Sequence, residues 1–182
     1  AQINAEASVQ VLEIGVGSGV IALAIAQEAK PELSIKMTGV DISQAALSLA
    51  QENARMNHID TIEWLESDLF SNIPPQCFDV IISNPPYVSQ SDLDDLEPEV
   101  KDYDPHLALV GGVNGLELPQ KLILDSIPFL KTGSKIILEL GPGQVDELET
   151  WTKGQDFGSF HTHCNKFKDL NQLQRFLVLS FS

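Results

Sequence analysis

Asn84-Pro85-Pro86-Tyr87 follows the apolar run FDVIIS at 78–83, and two consecutive prolines are not tolerated inside a strand. The four residues suit chemistry on a planar nitrogen. An amide or exocyclic amine nitrogen shares its lone pair with a π system and is a poor nucleophile unless acceptors hold its hydrogens against that delocalisation. Asn84 Oδ1 and a proline carbonyl are two such acceptors. Pro85 and Pro86 lack N–H groups and have fixed φ, so they remove competing donors and hold the carbonyl at little entropic cost. Tyr87 offers a flat face for stacking. The turn reads as a grip on an NH2 group in line with an electrophilic carbon, acting by orientation and electrostatics rather than as a strong base. The bland alternative is a proline-rich turn that only stops a strand.

A second constellation lies in VLEIGVGSGVIALAIA, where Glu13, Gly15, Val16, Gly17, Ser18 and Gly19 occupy a strand-to-helix turn. Glycine there permits positive φ and close approach of a ligand to the backbone, and the following helix points free amides at the same spot. The spacing is GxGxG, with Val20 where the third glycine of a dinucleotide fingerprint would fall. Further on, GVDIS ends in Asp41, whose carboxylate can accept both ribose hydroxyls of an adenosyl ligand, with Ile42 beside it. Asp41 can equally be a support for the next helix start. Asp68 and Leu69 offer edge hydrogen bonding and flat contact to an adenine, although Asp68 also suits a plain turn.

These residues need a frame that gathers strand ends. Apolar runs predict strands at Val9–Ile14, 34–40, 61–66, 79–83 and 135–139, alternating with helices at 19–29, 43–56 and 116–130. In the second helix Ser43 can cap, and Ala46, Leu47, Ala50 and Ala54 recur on one face. GPGQVDELETWTKG reads as a further helix, and 157–164 and 175–180 as an antiparallel pair finishing the sheet. The expected fold is α/β and Rossmann-like: a seven-stranded, mostly parallel sheet with a C-terminal antiparallel hairpin and helices on both faces. A right-handed crossover puts the fourth strand beside the first, about 4.8 Å away, so Asn84 emerges within reach of a ligand held over 15–19.

The connection 88–114 is too long for an ordinary loop and reads as functional. It holds seven carboxylates (Asp92, Asp94, Asp95, Glu97, Glu99, Asp102, Asp104) and Lys101. They suit a cation, a basic partner or plain solvation, and the loop is expected to order on substrate binding.

At 182 residues the chain fits one domain, and no apolar run approaches the roughly 18 residues that span a bilayer. The balance of 26 acidic against 11 basic residues, net −15, disfavours a broad nucleic-acid surface. A basic protein partner is favoured, or the charge serves solubility alone. The N-terminus lacks secretory-signal features, which predicts the cytoplasm. Cys77 and Cys164 form no CxxC and read as reduced structural thiols. His161 and His163 alternate on a predicted strand without a third ligand, so no metal is expected, and His58 and His106 read as loop-surface residues.

In combination, ExGxGxG at 13–19, Asp41 and NPPY at 84–87 resemble the class I methyltransferases carrying (D/N/S)PPY, which use S-adenosyl-L-methionine on planar nitrogens of adenine, guanine or glutamine. Within that group the chain resembles the PrmC/HemK family, the peptide chain release factor N(5)-glutamine methyltransferases. The likeness runs through LEIGVGSGVIALAIA, VDISQAALSLAQENA, SDLF, FDVIISNPPYV, PEVKDYDPHLALVGGVNGLE and ILELG. It implies that 15–19 and Asp41 bind S-adenosyl-L-methionine with Leu69 beside the adenine. It also implies that Asn84, Pro85, Pro86 and Tyr87 receive the glutamine of a release factor's Gly-Gly-Gln motif, with no metal needed. The sequence departs from the family at Leu69, where a Trp or other larger residue is usual, and at Asp104 and His106, where Glu then Arg are usual. The family's N-terminal helical domain is expected to be absent, leaving 1–182 as the catalytic domain. Two alternatives remain open: an amino methyltransferase acting on a flipped adenine or guanine of DNA or RNA, and a non-catalytic adenosyl-binding module.

Overall fold

The computed structural model describes residues 8–30, 32–95 and 109–182. Its elements run β1 (Val9–Ile14), α1 (Val20–Glu28), β2 (Ile35–Asp41), α2 (Gln44–Met56), β3 (Ile62–Glu66), β4 (Phe78–Ser83), β5 (Val88–Ser89), β6 (Val110–Gly112), α3 (Glu117–Ser126), β7 (Leu130–Glu139), α4 (Gln144–Lys153), β8 (Thr162–Lys168) and β9 (Gln174–Phe181). The main sheet has seven strands in the order β3-β2-β1-β4-β7-β9-β8. It is parallel from β3 to β7, and β9 is antiparallel to both its neighbours. The expected α/β sheet with a terminal antiparallel pair is present.

Alternation along β1 sorts the core into two layers. Leu12 and Ile14 join Ile81, Leu138, the α3 residue Leu122 and the α4 residue Leu148 on one face. Val11 joins Met37, Ala22 and Ala54 on the other, under α1 and α2. Successive strand side chains point to opposite faces, so Glu13 falls on Val11's side, beneath α1. In α2 the Ser43 hydroxyl caps the Ala46 N–H at 3.3 Å, and Leu47, Ala50 and Ala54 turn inward as their spacing predicts.

Several boundaries differ from the sequence reading. The helix expected over 116–130 ends at Ser126, passes through one 3-10 turn at Ile127–Phe129 that contains Pro128, and gives way to a ten-residue β7 starting at Leu130. The strand expected at 157–164 starts only at Thr162. Phe157 is instead a core plug packed edge-on against Phe181 at 5.7 Å, and Gly158 turns the chain with φ 65°. His161 therefore lies outside β8, and it and His163 are both exposed. Cys77 is exposed, which overturns its reading as a structural thiol, while Cys164 is half-buried. Among the described residues no helix is long and apolar enough to cross a membrane.

Candidate active site

The carboxyl ends of β1 and β4 lie side by side where the chain order reverses, the position at which open α/β sheets bind ligands. Ile14 pairs in register with Ser83, and the buried Ser83 hydroxyl donates to the Ile14 carbonyl at 2.7 Å. Gly15 and Asn84 therefore leave the sheet as neighbours. The N–H groups of Gly15 and Val16 both donate to the Val40 carbonyl, at 2.8 and 3.1 Å, folding the glycine turn onto β2.

The three glycines divide the work. A Cβ on Gly15 or Gly17 would meet nothing within 4 Å, so open space lies over both. One on Gly19 would press on Ala50 Cβ at 3.0 Å and Trp64 at 3.2 Å, so this residue lets α1 start close against α2 and β3. Val16 is buried with Leu47 and Ala50, and Ser18 is exposed, its carbonyl accepting from Asn53 Nδ2 at 2.9 Å.

Asp41 supports the helix start, one of its two expected roles, and also braces the glycine turn. Oδ1 accepts the Ser43 N–H at 2.9 Å and supports the start of α2, while Oδ2 accepts the Gly17 N–H at 2.9 Å and fixes the glycine turn. A carboxylate has about four lone-pair sites, so capacity remains for hydroxyl donors. Beside it Ile42 is 57% exposed. The Asp41 carbonyl accepts the Ser67 N–H at 2.9 Å, and Ser67 Oγ donates to the Leu69 carbonyl at 2.8 Å. Leu69 is thereby held half-buried with φ 48° at the same edge. Asp68 is exposed and lines, with Phe70, Ser71 and the α3 flank at Lys121, Leu124 and Asp125, a groove of about 450 Å³.

Glu13 is only 1% exposed, and its Oε2 has no hydrogen-bond partner. Burial pushes its pKa up to about 8. The Ala22 N–H in the first turn of α1 pulls the other way, and the nearby Asp41 charge adds to the rise.

The Asn84 side chain is exposed, Pro85 is buried, and Tyr87 is half-buried. Tyr87 is fixed twice. Its carbonyl accepts Gln144 Nε2 at 2.7 Å, with Gln144 Oε1 accepting the Gly141 N–H at 2.9 Å. Its hydroxyl accepts Arg175 at 2.9 Å, the guanidinium lies 5.3 Å from the ring centroid, and Arg175 is paired with Glu139 at 3.3 Å. Part of the aromatic surface expected to be open for stacking is thus engaged by Arg175.

The end of the long connection, and Gly115 just beyond it, pack directly on this turn. A Cβ on Gly111 would run into the Pro86 carbonyl oxygen, and one on Gly115 into the Tyr87 carbonyl oxygen. One on Gly141 would approach Tyr87 Cδ2 at 3.1 Å. Strand β5 pairs parallel with β6 through Val88 and Val110, so the two ends of the long connection meet beside Tyr87. Asp92 opens a 3-10 turn at Asp92–Asp95 with its N–H on Ser89 Oγ at 3.2 Å. Glu97, Glu99, Asp102, Asp104 and His106 lie outside the described residues, and of Asp94 and Asp95 only the backbone is described. Among the described residues no three potential ligand side chains gather around a metal position.

Glu139, Gln144 and Arg175 are absent from the sequence reading of the site. Gln144 looks like an ordinary residue at the start of a helix, and Arg175 like one strand residue among others. No local spacing connects either with Tyr87.

The methyltransferase small domain family matches residues 1–98. The release factor glutamine methyltransferase of Rhodopirellula baltica is 42% identical over 173 residues, covering 93% of this chain and 56% of that protein. The ribosomal protein uL3 glutamine methyltransferase of Francisella tularensis is 36% identical over 156 residues, covering 81% of this chain and 48% of that one. The chain spans about half the length of the curated relatives it matches. A crystal structure of ribosomal protein L11 methylase from Lactobacillus delbrueckii subsp. bulgaricus superposes with a TM-score of 0.64 at 20% identity, covering 98% of this chain and 73% of that one. It shares the class I methyltransferase fold. With the glycine turn, Asp41 and Asn84 gathered at one sheet edge, the chain belongs to the methyltransferase small domain family, on its PrmC/HemK side.

Proposed function

We propose that this chain, acting as one catalytic domain, transfers a methyl group from S-adenosyl-L-methionine to the side-chain amide nitrogen of a glutamine in a peptide chain release factor. The observation that carries the reading is Asn84, exposed at the end of β4 and adjacent in register to the glycine turn after β1. Relatives named for glutamine methylation support the acceptor type. The residues present fit the donor. The open space over Gly15 and Gly17 admits a ligand against the backbone, and the unpartnered Glu13 Oε2 suits an ammonium group. Asp41 would take the ribose hydroxyls, with Ile42 and Leu69 giving apolar contact to the adenine and Asp68 edge hydrogen bonding.

When bound, S-adenosyl-L-methionine supplies an electrophilic methyl on a sulfonium. Asn84 Oδ1 and a carbonyl of the proline turn accept the two amide hydrogens of the glutamine. Gripped in this way, the nitrogen lone pair is drawn out of conjugation with the carbonyl and aimed along one line; as the new C–N bond replaces the methyl–sulfur bond, the nitrogen gives up one of its two protons to solvent. Tyr87, held by Gln144 and Arg175, closes the turn. A release factor substrate goes with a cytoplasmic site of action.

The test offers labelled methyl donor with a release factor, its Gln to Ala variant in the Gly-Gly-Gln motif, ribosomal protein uL3, and nucleic acid. Label on the unmodified release factor alone is the expected result. Label on uL3 moves the acceptor to a ribosomal glutamine, label on DNA or RNA overturns the acceptor class, and no label on any overturns the enzyme.

A further inference from the structure

We propose that Arg175 is a positioning residue: seated on Glu139, it holds the Tyr87 side chain, and through it the acceptor turn, from the sheet's last strand. This rests on the glutamine-methylating reading of the same turn. The carboxyl ends of the parallel strands form the site edge, and only an antiparallel strand delivers its first residues there. Strand β9 does so: it starts at Gln174, Glu139 pairs with Phe176, and the Leu140 N–H donates to the Arg175 carbonyl at 2.8 Å. The Arg175 backbone is therefore fixed beside the end of β7, and its side chain reaches back to the Tyr87 hydroxyl at 2.9 Å.

With Gln144 on the Tyr87 carbonyl at 2.7 Å, main chain and side chain of one residue are held from two different elements. A guanidinium suits the task, because its planar Nη2 amino group donates to Tyr87 and Glu139 at once. Its side chain is 17% exposed and that of Glu139 30%; a part-buried pair of this kind adds little net stability, so the role assigned is geometric. Glu139 also balances the charge. An unpaired cation there would oppose the positive charge that the acceptor nitrogen gains as the new C–N bond forms.

The sequence has two tyrosines, Tyr87 and Tyr103, so 3-fluorotyrosine labelling gives two fluorine resonances, and the one missing in Tyr87→Phe is assigned. The Tyr87 resonance should stand apart from that of free fluorotyrosine, move towards it in Arg175→Ala, and move part of the way in Arg175→Lys. On a release factor, Arg175→Ala should lower kcat by about 10- to 100-fold. Affinity for S-adenosyl-L-methionine should stay within about two-fold, since Arg175 contacts none of the assigned donor residues. Because Arg175 acts through Tyr87, adding Arg175→Ala to Tyr87→Phe should cost much less than it does alone. A Tyr87 resonance indifferent to Arg175→Ala, or losses that multiply in the double variant, overturns the proposal. Should the alanine variant fail to fold, Arg175→Lys, which keeps the charge and loses the planar Nη2 group, decides by the same two readings. An unmodified chain that methylates no release factor defeats the proposed function, and the fluorine spectra still decide whether Arg175 holds Tyr87.

Discussion

Asn84 is exposed at a strand end whose register is pinned by the buried Ser83 hydroxyl, so its amide is placed by the sheet and not by a mobile loop. On the proposed reading, removing that amide takes away one of two acceptors while leaving the glycine turn and Asp41 untouched. Asn84→Ala is expected to reduce single-turnover methyl transfer by about 100- to 1,000-fold, the usual effect of deleting one preorganised polar contact to a reacting group. Calorimetric affinity for S-adenosyl-L-methionine should be nearly unchanged. Turnover close to the parent's would remove Asn84 from the chemistry.

Glu13 poses a different question at the same scale, because burial holds its pKa at about 8 against an ordinary 4.5. The native state then binds a proton more tightly than the unfolded chain. The stability this contributes is complete below about pH 4.5 and is lost as pH rises towards and through 8. At about 1.4 kcal/mol per unit the loss is on the order of a few kcal/mol. Glu13→Gln keeps the shape and stays neutral, so in urea unfolding it should match the parent near pH 4 and exceed its stability near pH 9, curves that stay parallel being the contrary result. A cationic ligand group on Oε2 would favour the ionised form, so donor binding near pH 7 should release up to about one proton. Calorimetry in buffers of different ionisation heat reads that release.

At the scale of elements, the two-stranded β5–β6 ribbon and the glycines after it form the seat for the proline turn. Gly115 has φ 78°, and a Cβ there would strike the Tyr87 carbonyl oxygen and Gln144 Nε2. Gly133 has φ 92° with nothing within 4 Å. Both alanine variants should lose about 1–2 kcal/mol to left-handed backbone strain. Only Gly115→Ala should also displace Tyr87 and lose methyl transfer, and equal activity in the two would detach the ribbon from the site. The glycine turn, Asp41 and the strand before Asn84 were legible in the sequence because each is a local pattern: short apolar runs, a capped helix, turn residues in order. Phe157 and Phe160 look like strand residues, yet Phe157 became a plug because its partner Phe181 is distant in sequence. Arg175, Glu139 and Gln144 stayed hidden for the same reason. Their meaning comes from contacts with Tyr87 made through the antiparallel return of β9 and the start of α4.

For the whole molecule the dominant quantity is charge: 26 acidic against 11 basic residues, with seven carboxylates in the connection that leaves the acceptor turn. A field of that sign repels phosphate backbones and draws basic protein surfaces, so it acts on encounter and not on the chemical step. Exposed charges are screened beyond about 8 Å at physiological ionic strength. If a basic face of the acceptor protein is steered in this way, kcat/KM for it should fall several-fold as salt rises from about 0.05 to 0.5 M, through association, while kcat at saturation holds. On the proposed reading the donor would be met by backbone, a buried carboxylate and apolar contacts, so its affinity should move far less. Neutralising Asp92 together with its neighbours Asp94 and Asp95 as asparagines should flatten the salt dependence without changing kcat. A slope that survives this substitution would shift the docking charge to another part of the surface.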